Sequence, residues 1–373
     1  MTFRFTEHCC DGIRALRPYE AGKPISEIQR EFGLSDVIKL ASNENPLGPS
    51  PKALAAMRAE LDGVALYPDG NAFALKRALA AKHGIAPDRI TVGSGSDHLL
   101  ELVARAFLGP GRSAVVSRYG FAIYALVTQG ASAELKVAAA LPPDHPTQPY
   151  GHDLEAMLAL VDGSTRVVFI ANPNNPTGTW LGRSELERFM ARIPPTTLVL
   201  VDEAYVEYVA EPAYPDCSAW LERFPNLIVT RTFSKAYGLA GVRVGYALAS
   251  AEVTDLINRV RLAFNPNALG QVGAVAALDD AEHLQRTLVA NRAGMQQLAA
   301  GFDALGLRRI PSVCNFHTVD VGRPGRTVFQ ALLRHGVIVR PVDSYGLDHH
   351  LRISVGLAAH NARLLAALAE VLA

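Results

Sequence analysis

Cysteine is scarce: the 373 residues hold four, at Cys9, Cys10, Cys217 and Cys314. None stands in the C-x-x-C spacing of zinc or redox sites, and adjacent Cys9 and Cys10 are awkward partners for each other, so a disulfide framework is excluded and a reducing compartment is expected. An excess of one charge is also lacking, because 36 Lys plus Arg balance 36 Asp plus Glu. Without a net field to hold phosphodiester backbones or anionic lipid, neither nucleic acid nor membrane is expected as a partner. No apolar run approaches the roughly 20 residues that span a bilayer, and the opening MTFRFTEHCCDGIR has no apolar signal core. The expected location is cytoplasmic. Repeats, low-complexity tracts and linkers are absent. What is present is 49% hydrophobic residues, enough to bury a sizeable core over two domains.

From Ile90 onward short β-branched runs alternate with helical stretches: RITV then DHLLELVARAFL, SAVVS then GFAIYALVTQ, TRVVFIANP then SELERFMARI, followed by TLVLVDEAY, NLIVTRTFSKAYG and VRVGYALA. That alternation predicts βαβ units and a mostly parallel sheet buried on both faces. After about Asn265 an Ala- and Leu-rich helical region leads to CNFHTVDV, VIVRPV, LRISVG and a terminal helix, the pattern of a smaller α+β domain. The stretch KLASNENPLGPSP, with its prolines and asparagines, reads as an ordered arm rather than a helix.

Lys235 lies just past a strand end in RTFSKAYGLAGVRVGY. The ligand crevice of an open α/β sheet lies outside the carboxyl ends of its strands, so a lysine there is placed to act as a Schiff-base nucleophile, although a lone lysine is ordinarily a solvated one. Its company changes the balance. TLVLVDEAY delivers Asp202 at a strand end, as metal ligand, cap or partner of a cofactor ring nitrogen, with Tyr205 just beyond. ANPNNPTG offers amide donors as well as a turn. GSGSDHLL, holding Gly95, Ser96 and Asp97, follows a strand and opens a helix, so its free N–H groups can cup a phosphate. It lacks the endings of a Walker loop or a dinucleotide fingerprint, which disfavours ATP and NAD. Tyr119 in SRYGF offers a face for stacking on a planar ring. Adjacent His349 and His350 have no Cys or carboxylate cluster near them in sequence, and no metal is expected. A nucleophilic lysine, an acid for a ring nitrogen, amide and phenol donors, a stacking aromatic and a phosphate cup are together what pyridoxal 5'-phosphate requires.

In order, KLASNENPLGPSP, YPDG, GSGSDHLL, RYGF, ANPNNPTG, VDEAY, RTFSKAYGLAGVRVGY and LRISVG resemble the fold-type I aminotransferases, and among them most closely the histidinol-phosphate aminotransferases. The resemblance implies an α/β fold with a large cofactor-binding domain over 48–265, a small C-terminal α+β domain over 266–373, and an arm over 1–47 that serves the small domain and a dimer's active site. It implies that Lys235 holds the cofactor and shuttles a proton, that Asp202 keeps the pyridine nitrogen protonated, and that Asn175 and Tyr205 bond the ring oxygen. Ser96, Asp97, Ser234 and Arg243, with Gly95, match the phosphate cup, and Tyr119 the stacking residue. Arg352 and Arg340 match anion contacts to substrate, with Asn45 beside them. A homodimer is implied, in which Tyr67 reaches the partner's cofactor phosphate and Tyr19 lines the partner's substrate pocket. Two departures stand out: His98 replaces a common Glu, and LAAHN after LRISVG lacks acidic residues. The implied reaction moves an amino group between histidinol phosphate and 2-oxoglutarate, giving glutamate. An aromatic amino acid aminotransferase and a phosphothreonine decarboxylase are the alternatives.

Overall fold

The computed structural model describes residues 4–18 and 22–373. Its strands are β1 (Ile38–Lys39), β2 (Ile90–Gly93), β3 (Ser113–Ser117), β4 (Glu134–Ala138), β5 (Thr165–Ala171), β6 (Leu198–Asp202), β7 (Leu227–Thr232), β8 (Gly245–Leu248), β9 (Arg308–Ile310), β10 (Phe316–Asp320), β11 (Val337–Ile338), β12 (Arg340–Pro341) and β13 (His350–Ser354). Seven of them form one sheet in the order β2-β8-β7-β6-β5-β3-β4. Strands β4, β3, β5, β6 and β7 pair in parallel, while β8 runs antiparallel to both β7 and β2.

The continuous apolar runs are explained by burial on both faces. Successive side chains point to opposite sides of a strand, so Val168, Ile170, Val199, Val201 and Val229 enter one apolar layer, and Val167, Phe169, Leu198, Leu200 and Ile228 enter the other. Ala53, Leu75 and Leu79, from the helices Pro51–Glu60 and Phe73–His83, cover the first layer. Leu99, Leu100 and Val103 of the helix Ser96–Phe107 cover the second. Two sandwiched layers pin the register of β5, β6 and β7 and hence the position of whatever follows their ends.

A second core gathers Ile28, Ile38, Leu40, Leu298, Phe302, Val319, Leu332, Ile353 and Leu364. It covers an antiparallel sheet ordered β12-β13-β10-β9 and the short parallel pair of β1 with β11. The arm therefore belongs to the smaller unit through β1. The junction at 265/266 is displaced, however, because the helix Ala268–Leu278 packs on Pro51–Glu60 and Phe73–His83, and its Ala274 and Ala277 are buried in the first core. Its buried residues are all small, Gly270, Gly273, Ala274 and Ala277, so it nests closely against its neighbours, and the long helix Ala281–Ala304 then leads into the second unit. Val313 N–H donating to the Gly178 carbonyl at 3.2 Å, and Thr318 Oγ1 donating to the Pro176 carbonyl, tie the two units together.

Candidate active site

A cavity of about 350 Å³ opens between the two units at the carboxyl ends of β5, β6 and β7. Among the residues lining it are Ser96, Asp97, Asn175, Asp202, Tyr205, Ser234, Lys235, Arg243, Arg340 and Arg352. Ten positions singled out from sequence thus converge from six separate stretches of chain.

One end is a cradle for an anion. Gly95, at φ 88°, turns the chain into the helix Ser96–Phe107, whose first N–H groups have no intrahelical acceptor. That φ strains any other L residue, and a Cβ there would also displace the Arg243 and Asp97 side-chain ends from their present positions. Arg243 donates through Nη1 to Ser234 Oγ at 3.2 Å and through Nη2 to Asp97 Oδ1 at 2.7 Å. Asp97 therefore acts on the guanidinium, fixing its plane, which accounts for a carboxylate beside a cradle otherwise suited to an anion.

Lys235 is buried, and its Nζ donates to the Ser42 carbonyl at 3.0 Å. Burial, followed by the positive charge of Arg352, lowers its pKa to about 8, so a useful fraction is the free amine near neutrality. Asp202 is buried at the end of β6, where Tyr124 Oη donates to Oδ2 at 3.0 Å and Thr230 Oγ1 to Oδ1 at 3.1 Å. Burial raises its pKa to about 6, and the two hydroxyls partly offset that rise. A carboxylate has about four acceptor sites, so it keeps capacity for a further donor, and a cation there would favour the ionised form. Tyr205 is held by the Asn43 amide, whose Nδ2 donates to its oxygen at 2.8 Å, and burial pushes its phenol pKa well up.

At the other end Arg352 is buried, donating to Asn175 Oδ1 at 2.5 Å and to the Ala41 carbonyl at 2.6 Å. Its Nε is a buried donor with no partner among the described residues. Arg340 sits directly opposite it in the antiparallel β12–β13 pair. Both line the cavity, so a planar anion there can take donors from two guanidiniums.

Two expectations are not met by position. Tyr119 does not line the cavity: the turn closed by Gly120 N–H on the Ser117 carbonyl aims its ring edge-on at Tyr150, 5.4 Å away, whereas Phe121, from the same loop, does line it. Asn45 is a structural latch outside the cavity lining, its Nδ2 donating to the Ala236 carbonyl and Thr287 Oγ1 and its Oδ1 accepting from Leu47 N–H. Tyr67, whose expected target lies in a partner subunit, is 80% exposed and stacked on Phe264 at 4.4 Å. Tyr19 lies outside the described residues. Conversely, Asn43, Tyr124 and Thr230 had not been singled out, since their partners come from distant parts of the chain.

The model of the family described as aminotransferase class I and II matches residues 35–372. Histidinol-phosphate aminotransferase 2 of Methylococcus capsulatus is 56% identical over 361 residues, covering 97% of each chain, and that of Pseudomonas aeruginosa is 54% identical over 364 residues, covering 97% of each. The crystal structure of histidinol-phosphate aminotransferase from Sinorhizobium meliloti in complex with pyridoxal 5'-phosphate superposes with a TM-score of 0.88 at 31% identity, over 97% of this chain and 96% of that one. The chain belongs to the class I and II aminotransferases, and within them it groups with the histidinol-phosphate aminotransferases. Its cofactor is pyridoxal phosphate. The residues present fit that group: a depressed amine, a buried carboxyl with spare acceptor capacity, and a cradle of serines, arginine and helix N–H groups kept open at Gly95.

Proposed function

We propose that this enzyme exchanges an amino group between histidinol phosphate and 2-oxoglutarate in L-histidine biosynthesis, as a cytoplasmic homodimer. The observation that carries the reading is the cross-strand pair Arg340 and Arg352, two guanidiniums facing one cavity. A forked donor pair suits a substrate phosphate in one half-reaction and a carboxylate in the other. The names of relatives more than half identical over nearly the whole chain support the same donor.

Pyridoxal phosphate, when bound, supplies the carbonyl that takes the amine and the ring that accepts electron density. The protein supplies the rest. Lys235 Nζ would hold the cofactor and then carry a proton to and from the substrate α-carbon, for which an amine titrating near 8 is matched. Asp202 would hold a proton on the ring nitrogen, Asn175 and Tyr205 would bond the ring oxygen, and Ser96, Ser234 and Arg243 would hold the phosphate. Phe121 is placed to cover the ring face that was expected of Tyr119. Exposed Leu61, Val64, Leu66, Tyr67, Leu262 and Phe264 form the kind of apolar surface that marks an interface, which supports the homodimer and a role for Tyr67 in its partner.

The test is a half-reaction without any 2-oxo acid, following the visible absorbance of the bound cofactor on adding histidinol phosphate, phenylalanine, tyrosine or phosphothreonine separately. Histidinol phosphate should discharge the absorbance fastest. A faster response to phenylalanine or tyrosine would contradict the reading in favour of an aromatic aminotransferase, and loss of carbon dioxide from phosphothreonine in favour of a decarboxylase.

A further inference from the structure

Asn43 stands at a junction of three parts of the molecule. It belongs to the arm, its backbone adopts φ 55°, a left-handed conformation that Asn tolerates better than most residues, and it is buried. Its N–H donates to Ser354 Oγ at 2.8 Å, and Ser354 Oγ lies 2.8 Å from Asn43 Oδ1. Its carbonyl accepts from Asn315 Nδ2 at 3.0 Å. Its Nδ2 lies 2.8 Å from Tyr205 Oη.

The direction of these bonds follows from counting protons. Ser354 is buried at the end of β13, and its single hydroxyl proton needs an acceptor. Having accepted the Asn43 N–H, it can pass that proton to Asn43 Oδ1. Turning the amide over would leave the serine proton with no acceptor among the described residues and cost a buried hydrogen bond. The amide nitrogen must then face Tyr205, whose oxygen becomes an acceptor. The phenol's own proton has no acceptor among the described residues, and Tyr205 lines the cavity.

We propose that Asn43 is a positioning residue: by donating to Tyr205 Oη it fixes that hydroxyl as a donor into the cavity, toward the cofactor's ring oxygen, and links its orientation to the arm and to β13. The inference rests on the cofactor roles given above. A donor to the ring oxygen favours its deprotonated form, so Asn43 lowers the pH at which the bound cofactor changes protonation. Facing Tyr205 are Lys235, with Nζ 5.8 Å from the ring centroid, and Arg352, Asp202 and the buried Cys314 thiol; all are unchanged in the variants below.

The experiment is a pH titration of the visible absorbance of the holoenzyme for wild type, Asn43→Asp, Ser354→Ala, Tyr205→Phe and the double variant Asn43→Asp/Tyr205→Phe. Aspartate keeps the shape and tolerates φ 55°, but it accepts where asparagine donates, and so draws the Tyr205 proton away from the cavity. The midpoint should rise by about one pH unit in Asn43→Asp, as for loss of one hydrogen bond to a charged group. Tyr205→Phe should match it, Ser354→Ala should move the same way by less, and the double variant should go no higher than Tyr205→Phe. An unmoved midpoint in Asn43→Asp, or additive shifts in the double variant, would overturn the proposal, the latter by exposing a plain charge effect. If Asn43→Asp does not fold, an unmoved Ser354→Ala overturns it equally. A wild type that takes up no pyridoxal phosphate would sink the functional reading and this inference together, whereas a wild type that titrates beside unmoved variants would sink this inference alone.

Discussion

At the scale of single residues, the chemistry rests on Lys235 being an unusual lysine. Removal from water, more than the nearby Arg352, brings its pKa from 10.5 to about 8. Capture of pyridoxal phosphate by the apoprotein should therefore accelerate with pH and level off just above pH 8, where an ordinary lysine would still be gaining; stopped-flow absorbance across pH 6.5 to 10, ranges chosen to bracket about 8, reads this directly. The sign for stability follows as well. Between about 8 and 10.5 the native apoprotein binds fewer protons than the unfolded chain, so its stability should rise with pH through that window. Lys235, Asp202 and the phosphate cradle were legible in the sequence because each follows a recognisable strand end or opens a helix. Asn43 was not: the two asparagines in SNENP look alike in sequence, and only the packing shows that Asn43 bonds Tyr205 while Asn45, expected beside the substrate, latches Ala236 and Thr287.

At the scale of elements, β6 and β7 carry the site, and a buried ion pair fastens their ends. Arg231 on β7 donates through Nε to Glu203, just beyond β6, at 2.8 Å, and also reaches Asp216 at 3.3 Å. Arg231 and Glu203 are both buried. Removing one partner strands the other charge, so Arg231→Ala should lower stability by about 3–5 kcal/mol. Urea unfolding followed by circular dichroism measures it; a loss below about 1 kcal/mol, the value of a surface pair, would contradict the buried role. The apolar runs at 90–93, 113–117, 165–171, 198–202 and 227–232 became strands because β-branched residues fit a sheet covered on both faces. Strand direction leaves no such mark. Nothing in VRVGYALA distinguishes the antiparallel β8 from its parallel neighbours, and the half-polar ELKVA of β4, a sheet edge, has no continuous apolar run to announce it.

At the scale of the whole molecule, function depends on two cores meeting at one cavity. The larger presents strand ends; the smaller presents Arg340 and Arg352 from adjacent strands and reaches across through Asn43. The order of the units was readable from the change of texture near Asn265. The exact junction was not, because the Ala- and Gly-rich helix Ala268–Leu278 suits either core, and only its packing assigns it to the first. The central claim is that this meeting point holds pyridoxal phosphate on Lys235. Reduction of the holoenzyme with borohydride, proteolysis and mass spectrometry of the peptides tests it most directly. The expected result is a single phosphopyridoxyl group on the peptide containing Lys235, lost in Lys235→Ala; a label on another lysine, or none, would contradict it.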